Sequence, residues 1–189
     1  MNILQTIADM SEPSSLYLRA HLSRAAFEDY LRSPMAVPSD FDDWMTWLSE
    51  VEFSGGPATP GWIKRISAEM ADRLGIADDG IASWRDLDWS CTRSVYDEKT
   101  EVWQFGILQF SENIFEYMLN LPFLRAVCQF QDRHADDFLI VLPYLWSPGV
   151  CEVCIDLRPG ASHVSTLASE ARLAEAAEFL NALIPTEVD

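Results

Sequence analysis

Apolar positions recur at helical spacing through the first part of the chain. Leu16, Ala20, Ser23, Phe27, Tyr30 and Leu31 fall on one face at 100° per residue, with His21, Glu28 and Arg32 opposite. Glu28 and Arg32 have the i,i+4 spacing of a helical ion pair. Pro34 and Pro38 end this predicted helix. Asp40 then serves as an N-cap for a second stripe, Phe41, Trp44, Trp47, Leu48 and Val51, with Asp43 and Glu50 on the far side. The run SGGPATPG, residues 54–61, marks a turn or linker. Beyond it Thr59 caps a helix with Pro60 at its first position, and Ile63, Ile66, Met70 and Leu74 give its buried face.

The pattern changes at the centre of the chain. SCTRSVYD and EVWQFGILQF predict two strands of a hairpin around residues 90–110. Val102, Phe105, Ile107 and Phe110 do not alternate strictly, which implies a bulge near Gly106 or a sheet covered on both faces. Ser111 is placed to cap ENIFEYMLN, and Pro122 to begin a second helical piece. DFLIVLPYLW and VCEVCIDLR, joined at SPG, predict a further antiparallel pair. A last helix runs from about Thr166 to Ile184, with Leu173, Ala176, Ala177, Leu180 and Leu183 inward and Glu170, Glu175 and Glu178 outward. Helices, strand pair, helices, strand pair and helix favour an α+β fold. The expected architecture is a helical N-terminal part, residues 1–52, packed on a mainly antiparallel sheet, with residues 53–61 as a turn and 62–189 as the α+β body of one domain.

Composition supports one core and narrows the partners. The chain has 189 residues, 49% of them hydrophobic, with ten Phe, seven Trp and five Tyr. Thirty acidic residues against thirteen basic ones give a net charge of −17. That field repels nucleic-acid backbones and anionic membrane surfaces, and steers cationic proteins inward. The first residues lack the basic and apolar regions of a secretion signal, and no apolar run is long enough to span a bilayer, so the expected compartment is the cytoplasm.

Motifs that carry chemistry are scarce. Cys151 and Cys154 form a CxxC inside a strand pattern, without the helix N-terminus that a redox thiolate needs, and Cys91 and Cys128 stand far off. His134, Asp136 and Asp137 could serve a metal or an acid–base step, although their place between a helix end and a strand suits turns and caps equally. Gly55-Gly56 is followed by Pro57, a poor phosphate cradle, and no nucleotide-binding motif is present, so no cofactor is expected. More telling are tryptophans beside acids: Asp42 and Asp43 before Trp44, and Asp86 and Asp88 between Trp84 and Trp89. Aromatics rimmed by carboxylates suit a surface that binds Arg- and Lys-rich protein.

As an acidic, motif-free, aromatic-rich α+β chain, the sequence resembles the immunity proteins that bacteria keep beside their own toxins. The resemblance implies an inhibitor of a cognate basic protein, and the candidate contacts are Asp40, Asp42, Asp43, Glu50, Asp86, Asp88 and Trp89. A type III secretion-type effector chaperone is the rival profile, and an enzyme using His134 with Asp136 or Asp137 is the third. Oligomeric state is left open.

Overall fold

The computed structural model describes residues 13–49, 58–71, 75–87, 90–111, 113–143, 150–165 and 167–184. Six strands form one antiparallel sheet: β1 (Ser14–His21), β2 (Thr92–Asp97), β3 (Val102–Ser111), β4 (Asp137–Leu142), β5 (Val153–Arg158) and β6 (Ala161–Ser165). Their order across the sheet is β2-β3-β1-β4-β5-β6. Helices α1 (Arg24–Arg32), α2 (Trp44–Leu48), α3 (Pro60–Ala71), α4 (Ala77–Arg85) and α5 (Ile114–Arg125) supply the main core with one sheet face. Helix α6 (Glu170–Asn181) covers Tyr17, Phe138, Ile140, Leu142 and Cys154 on the other. The α+β class holds, with a C-terminal amphipathic helix.

The chief correction is β1. Residues 14–21, expected as the start of a helix, are a central strand paired with both β3 and β4. Leu16, Leu18 and Ala20 face the helical layer, while Tyr17 lies in the α6 cluster. A strand buried on both faces loses the clean period of 2, so Leu16 and Ala20 also fit a helical stripe. Two neighbours supplying backbone hydrogen bonds settle the contest. Ser23 is the N-cap of α1, its side chain accepting from Ala26 N–H, rather than a core-facing position. The N-terminal part is therefore no separate helical segment. The Glu28–Arg32 pair does form on α1, at 3.9 Å.

Thr59 caps α3, accepting from Trp62 N–H at 3.1 Å, and Pro60 opens that helix inside the stretch expected as turn. Asp40 does not cap α2. It closes a 3-10 turn, Pro38–Asp40, by accepting from Val37 N–H at 2.8 Å. Asn113, not Ser111, caps α5 by accepting from Glu116 N–H at 3.0 Å. Pro122 lies within α5, which runs unbroken to Arg125 because Leu121, Phe123 and Leu124 are all buried there. The expected hairpin appears as β2 and β3, and the second strand pair as β4 and β5. β6, which follows a turn at Gly160 (φ 72°), was not foreseen. Val51, Leu74 and the SPG turn lie outside the described residues.

The broken alternation of β3 has two sources. Both sheet faces are covered, and the β1–β3 register shifts between Ser14 and Leu16. The irregularity falls just past Gly106, as expected, between Ile107 and Ser111 of β3, while Gly106 itself stays in register with Tyr17 and Arg93. A Cβ there would lie 2.7 Å from the Phe179 ring of α6, so the glycine lets that helix approach. Among the described residues no helix is long and apolar enough to cross a membrane.

Gly106→Val should therefore destabilise the fold by about 1–3 kcal/mol despite the strand preference of valine. Urea denaturation of this variant, of Phe179→Ala and of the double variant should show favourable coupling, since removing the ring removes the clash.

Candidate functional site

Of the three acids before α2, Asp43 is engaged inside the fold. Its carboxylate lies 2.6 Å from the Arg125 guanidinium and accepts from Val164 N–H at 2.7 Å. Arg125 is only 1% exposed, with Phe41 and Trp44 rings 4.2 and 4.8 Å from its guanidinium. It also donates through Nε to Ser162 Oγ (2.6 Å) and through Nη2 to the Ser162 carbonyl (2.9 Å). Burial pulls the Arg125 pKa down, and Asp43 opposes that shift. Asp43 is thus a structural tie between the α2 entry, α5 and β6. Asp40 is exposed but holds its turn, whereas Asp42 is exposed and bonds nothing among the described residues. Asp86 is the exposed C-cap residue of α4. Glu50, Asp88 and Trp89 lie outside the described residues. Trp84 is core, stacked on Phe123 at 5.5 Å, and Trp44 and Trp47 are buried as their helical phasing predicts.

His134, Asp136 and Asp137 do not converge. Asp137 is buried and meets a different histidine: its carboxylate takes His21 Nδ1 at 2.5 Å and His21 N–H at 2.8 Å, with Gln131 donating as well. Asp136 bridges two arginines, Arg19 at 3.7 Å and Arg172 at 2.5 Å. Arg19 also pairs with Glu175, and Arg172 with Asp156. The two guanidiniums flank Phe138 at 5.0 and 5.1 Å. Glu175, expected on the outer face of α6, turns in to accept from Tyr17 Oη at 2.7 Å. This network fastens α6 to the sheet. His134 itself is exposed.

Cys154 lies in the α6-side core, and burial pushes its thiol up to about 11. Cys151 precedes the strand and packs against that same cluster. Cys128 is also buried with its pKa raised. These are protonated thiols in apolar surroundings. Among the described residues no group of three or more His, Cys, Asp or Glu is arranged to hold a metal.

A feature that motif reasoning missed lies between α3, α4 and α5. A cleft of about 330 Å³ is walled mainly by Met35, Ile66, Met70, Phe115, Leu119 and Phe123. Its polar lining is Glu69, Ser83 and Asn120, and Ser83 Oγ already donates to the Gly80 carbonyl. Phe115 is 45% exposed at this cleft. Gly80 permits the tight corner, since a Cβ there would lie 2.2 Å from Met35 Cε and 2.8 Å from Phe123. The sequence signal was present: Phe115 and Leu119 form an i,i+4 apolar pair apart from the buried Tyr117, Met118 and Leu121. The turn bearing Asp40 packs on α3 through Ser39 N–H donating to Ser67 Oγ at 2.8 Å. Exposed acids on α3, on α4 and on the turn packed against α3 are Asp40, Glu69, Asp78 and Asp79, with Lys64, Arg65 and Arg85 as cations. Arg85 is 3.8 Å from Asp78.

Compared with the models of protein families, with curated proteins and with solved structures, the chain finds no match.

Asp43→Ala should cost about 3–5 kcal/mol, because it leaves the Arg125 charge buried without its partner. Asp42→Ala should stay within about 0.5 kcal/mol of wild type. Chemical denaturation compares the two. Native-state labelling with iodoacetamide at about pH 8 should leave Cys128 and Cys154 unmodified, as peptide mass spectrometry would record.

Proposed function

We propose that this chain is an inhibitory binding protein that neutralises a cognate basic protein, a bacterial toxin or effector, in the manner of an immunity protein. The observation that carries this reading is where the scarce cations go. Arg19, Arg125 and Arg172 are locked in partly or fully buried ion pairs. Arg24, Arg32 and Arg133 pair with acids of their own surface. A chain of net charge −17 therefore presents carboxylates that no cation meets at ion-pair distance among the described residues, Asp42 among them, although its charge helps Asp43 hold that of Arg125. At the α3–α5 cleft Glu69 borders apolar surface, the combination that receives an apolar anchor flanked by lysine or arginine. The long-range field steers the partner in, and the cleft then holds it. Of the acids expected as contacts, Asp42 and Asp86 remain on the surface for this role, while Asp43 acts from inside.

The cleft also favours the rival reading, a chaperone that holds an extended apolar segment of an effector. What separates the two is the state of the partner and the source of the rate. The enzyme reading built on His134 loses its geometry, because Asp137 is bound by His21 and Asp136 by arginines.

The tagged chain should be used to capture its partner from the source cell, and the association rate measured by stopped flow at low and high salt. A folded basic protein should associate at least about tenfold more slowly at high salt. Asp42→Lys should slow association further, and Leu119→Trp, which fills the cleft, should speed dissociation. A rate indifferent to salt overturns the steering, and a partner bound only when unfolded points to the chaperone.

A further inference from the structure

We propose that strand β2 pairs antiparallel with β2 of a second copy of this chain, across a two-fold axis at Val95, joining two six-stranded sheets into one. The sheet order leaves β2 and β6 as its edges. They are treated differently. At β6 the Val164 N–H is taken by Asp43 at 2.7 Å, with α2 packed alongside; α4 contacts β2 as well, but none of its described groups bonds the outward-facing β2 backbone. β2 has no proline, and its register with β3 is unbroken from Thr92 to Asp97.

The hydrogen-bond phase of the ladder identifies which groups face outward. Leu22 N–H donates to the Glu101 carbonyl at 3.0 Å, so the odd-numbered residues of β3 bond to β1. The even-numbered ones then bond to β2, and their partners there are Arg93, Val95 and Asp97. Thr92, Ser94 and Tyr96 are left to present N–H and C=O at the open edge, where no described residue takes them.

An added antiparallel strand must place outward-bonding residues opposite one another. Three centred registers satisfy this: Ser94 across from Ser94, Ser94 from Tyr96, or Tyr96 from Tyr96. The middle register sets Arg93 opposite Asp97 of the second copy, twice by symmetry, at the close non-hydrogen-bonded positions where cross-strand charges interact best. The other two put Arg93 or Asp97 opposite Val95. Arg93 is suited to a partner from outside. It is exposed, its guanidinium lies 5.6 Å from the Phe179 ring, and it forms no ion pair among the described residues.

Local charge permits self-association here even though the whole chain is strongly acidic. The β2–β3 hairpin and its neighbours carry Arg24, Arg93, Lys99 and Arg133 against Asp97, Glu98 and Glu101, with Arg24 paired to Glu98 and Arg133 to Glu101. Asp97 holds its turn by accepting from Lys99 N–H at 2.8 Å and from the Thr100 hydroxyl and N–H, which together lower its pKa and keep it charged for a partner. Two such edges meet without the like-charge repulsion that acidic faces would impose. This pairing is independent of the cation-directed binding at the α3–α5 corner and uses other residues.

Sedimentation equilibrium of the full chain, over roughly 1–500 µM because single-strand interfaces are small, should show reversible dimers of the 21.4 kDa chain. Arg93→Asp and Asp97→Arg should each weaken dimerisation by at least about tenfold, since each reversal acts twice across the axis. The double variant Arg93→Asp/Asp97→Arg should bring the dimer back to within about threefold of wild type, which a merely unfolded variant cannot do. A wild-type chain that stays monomeric throughout overturns the proposal. So does a dimer that neither reversal weakens, or one that the double variant fails to restore.

Discussion

A single strand that must be buried on both faces governs this fold. β1 lies between β3 and β4, and its Leu16, Tyr17 and Leu18 are all fully buried. Such a strand needs apolar cover above and below, so the sheet cannot rest on helices from one side alone. The five helices between β1 and β4 in sequence supply one layer. Among the described residues the other falls to α6, a helix of 12 residues. One helix cannot cover six strands with apolar contacts, which explains why the α6 side is half polar. Tyr17 extends its hydroxyl to Glu175, and Arg19 and Arg172 lie against Phe138 with acids around them. The guanidiniums act as amphipathic cover, their planes against the ring and their edges bound to carboxylates.

The same demand determines where the positive charge goes. Where the sheet turns toward β6, the Arg125 guanidinium is enclosed by Phe41 and Trp44 and requires a carboxylate, which among the described residues Asp43 supplies at ion-pair distance. Removing that acid leaves a charge with nowhere to go, whereas removing Asp42 leaves only water. Two adjacent aspartates therefore differ by the environment of what they face and not by their own chemistry.

How much of this was legible in the sequence follows from how local each signal is. The β2–β3 hairpin and the Thr59–Pro60 helix start are set by residues close in sequence, and both appear as expected. β1 was misread because the pattern of residues 14–21 fits two periods, and only distant strands decide between them. Asp40 and Ser111 are capping residue types at plausible positions, displaced by a few residues by a proline-led turn and by Asn113. Asp137 belongs to the same class of limit. Its neighbour in sequence is His134, but the strand register delivers His21. The cleft needed three helices to be placed before Phe115, Leu119 and Met35 could share a wall. Its i,i+4 pair was visible, though not its company.

The two sheet edges bring these threads together. An edge strand that stays open invites pairing, and a fold can seal it with a side chain, a helix or a charge. At β6 sealing and core charge are one device, since the carboxylate that neutralises Arg125 also takes the Val164 amide. Among the described residues nothing comparable reaches the outward amides of β2, where Arg93 lies against an aromatic ring. Its guanidinium could have been drawn inward like those of Arg19 and Arg172, which meet carboxylates across the same face of the sheet. Instead Gln104 and Gly106 stand beside it on β3, offering no acid. A cation left at an open edge, in a chain with more than twice as many acids as bases, meets its counter-charge by reaching beyond its own fold.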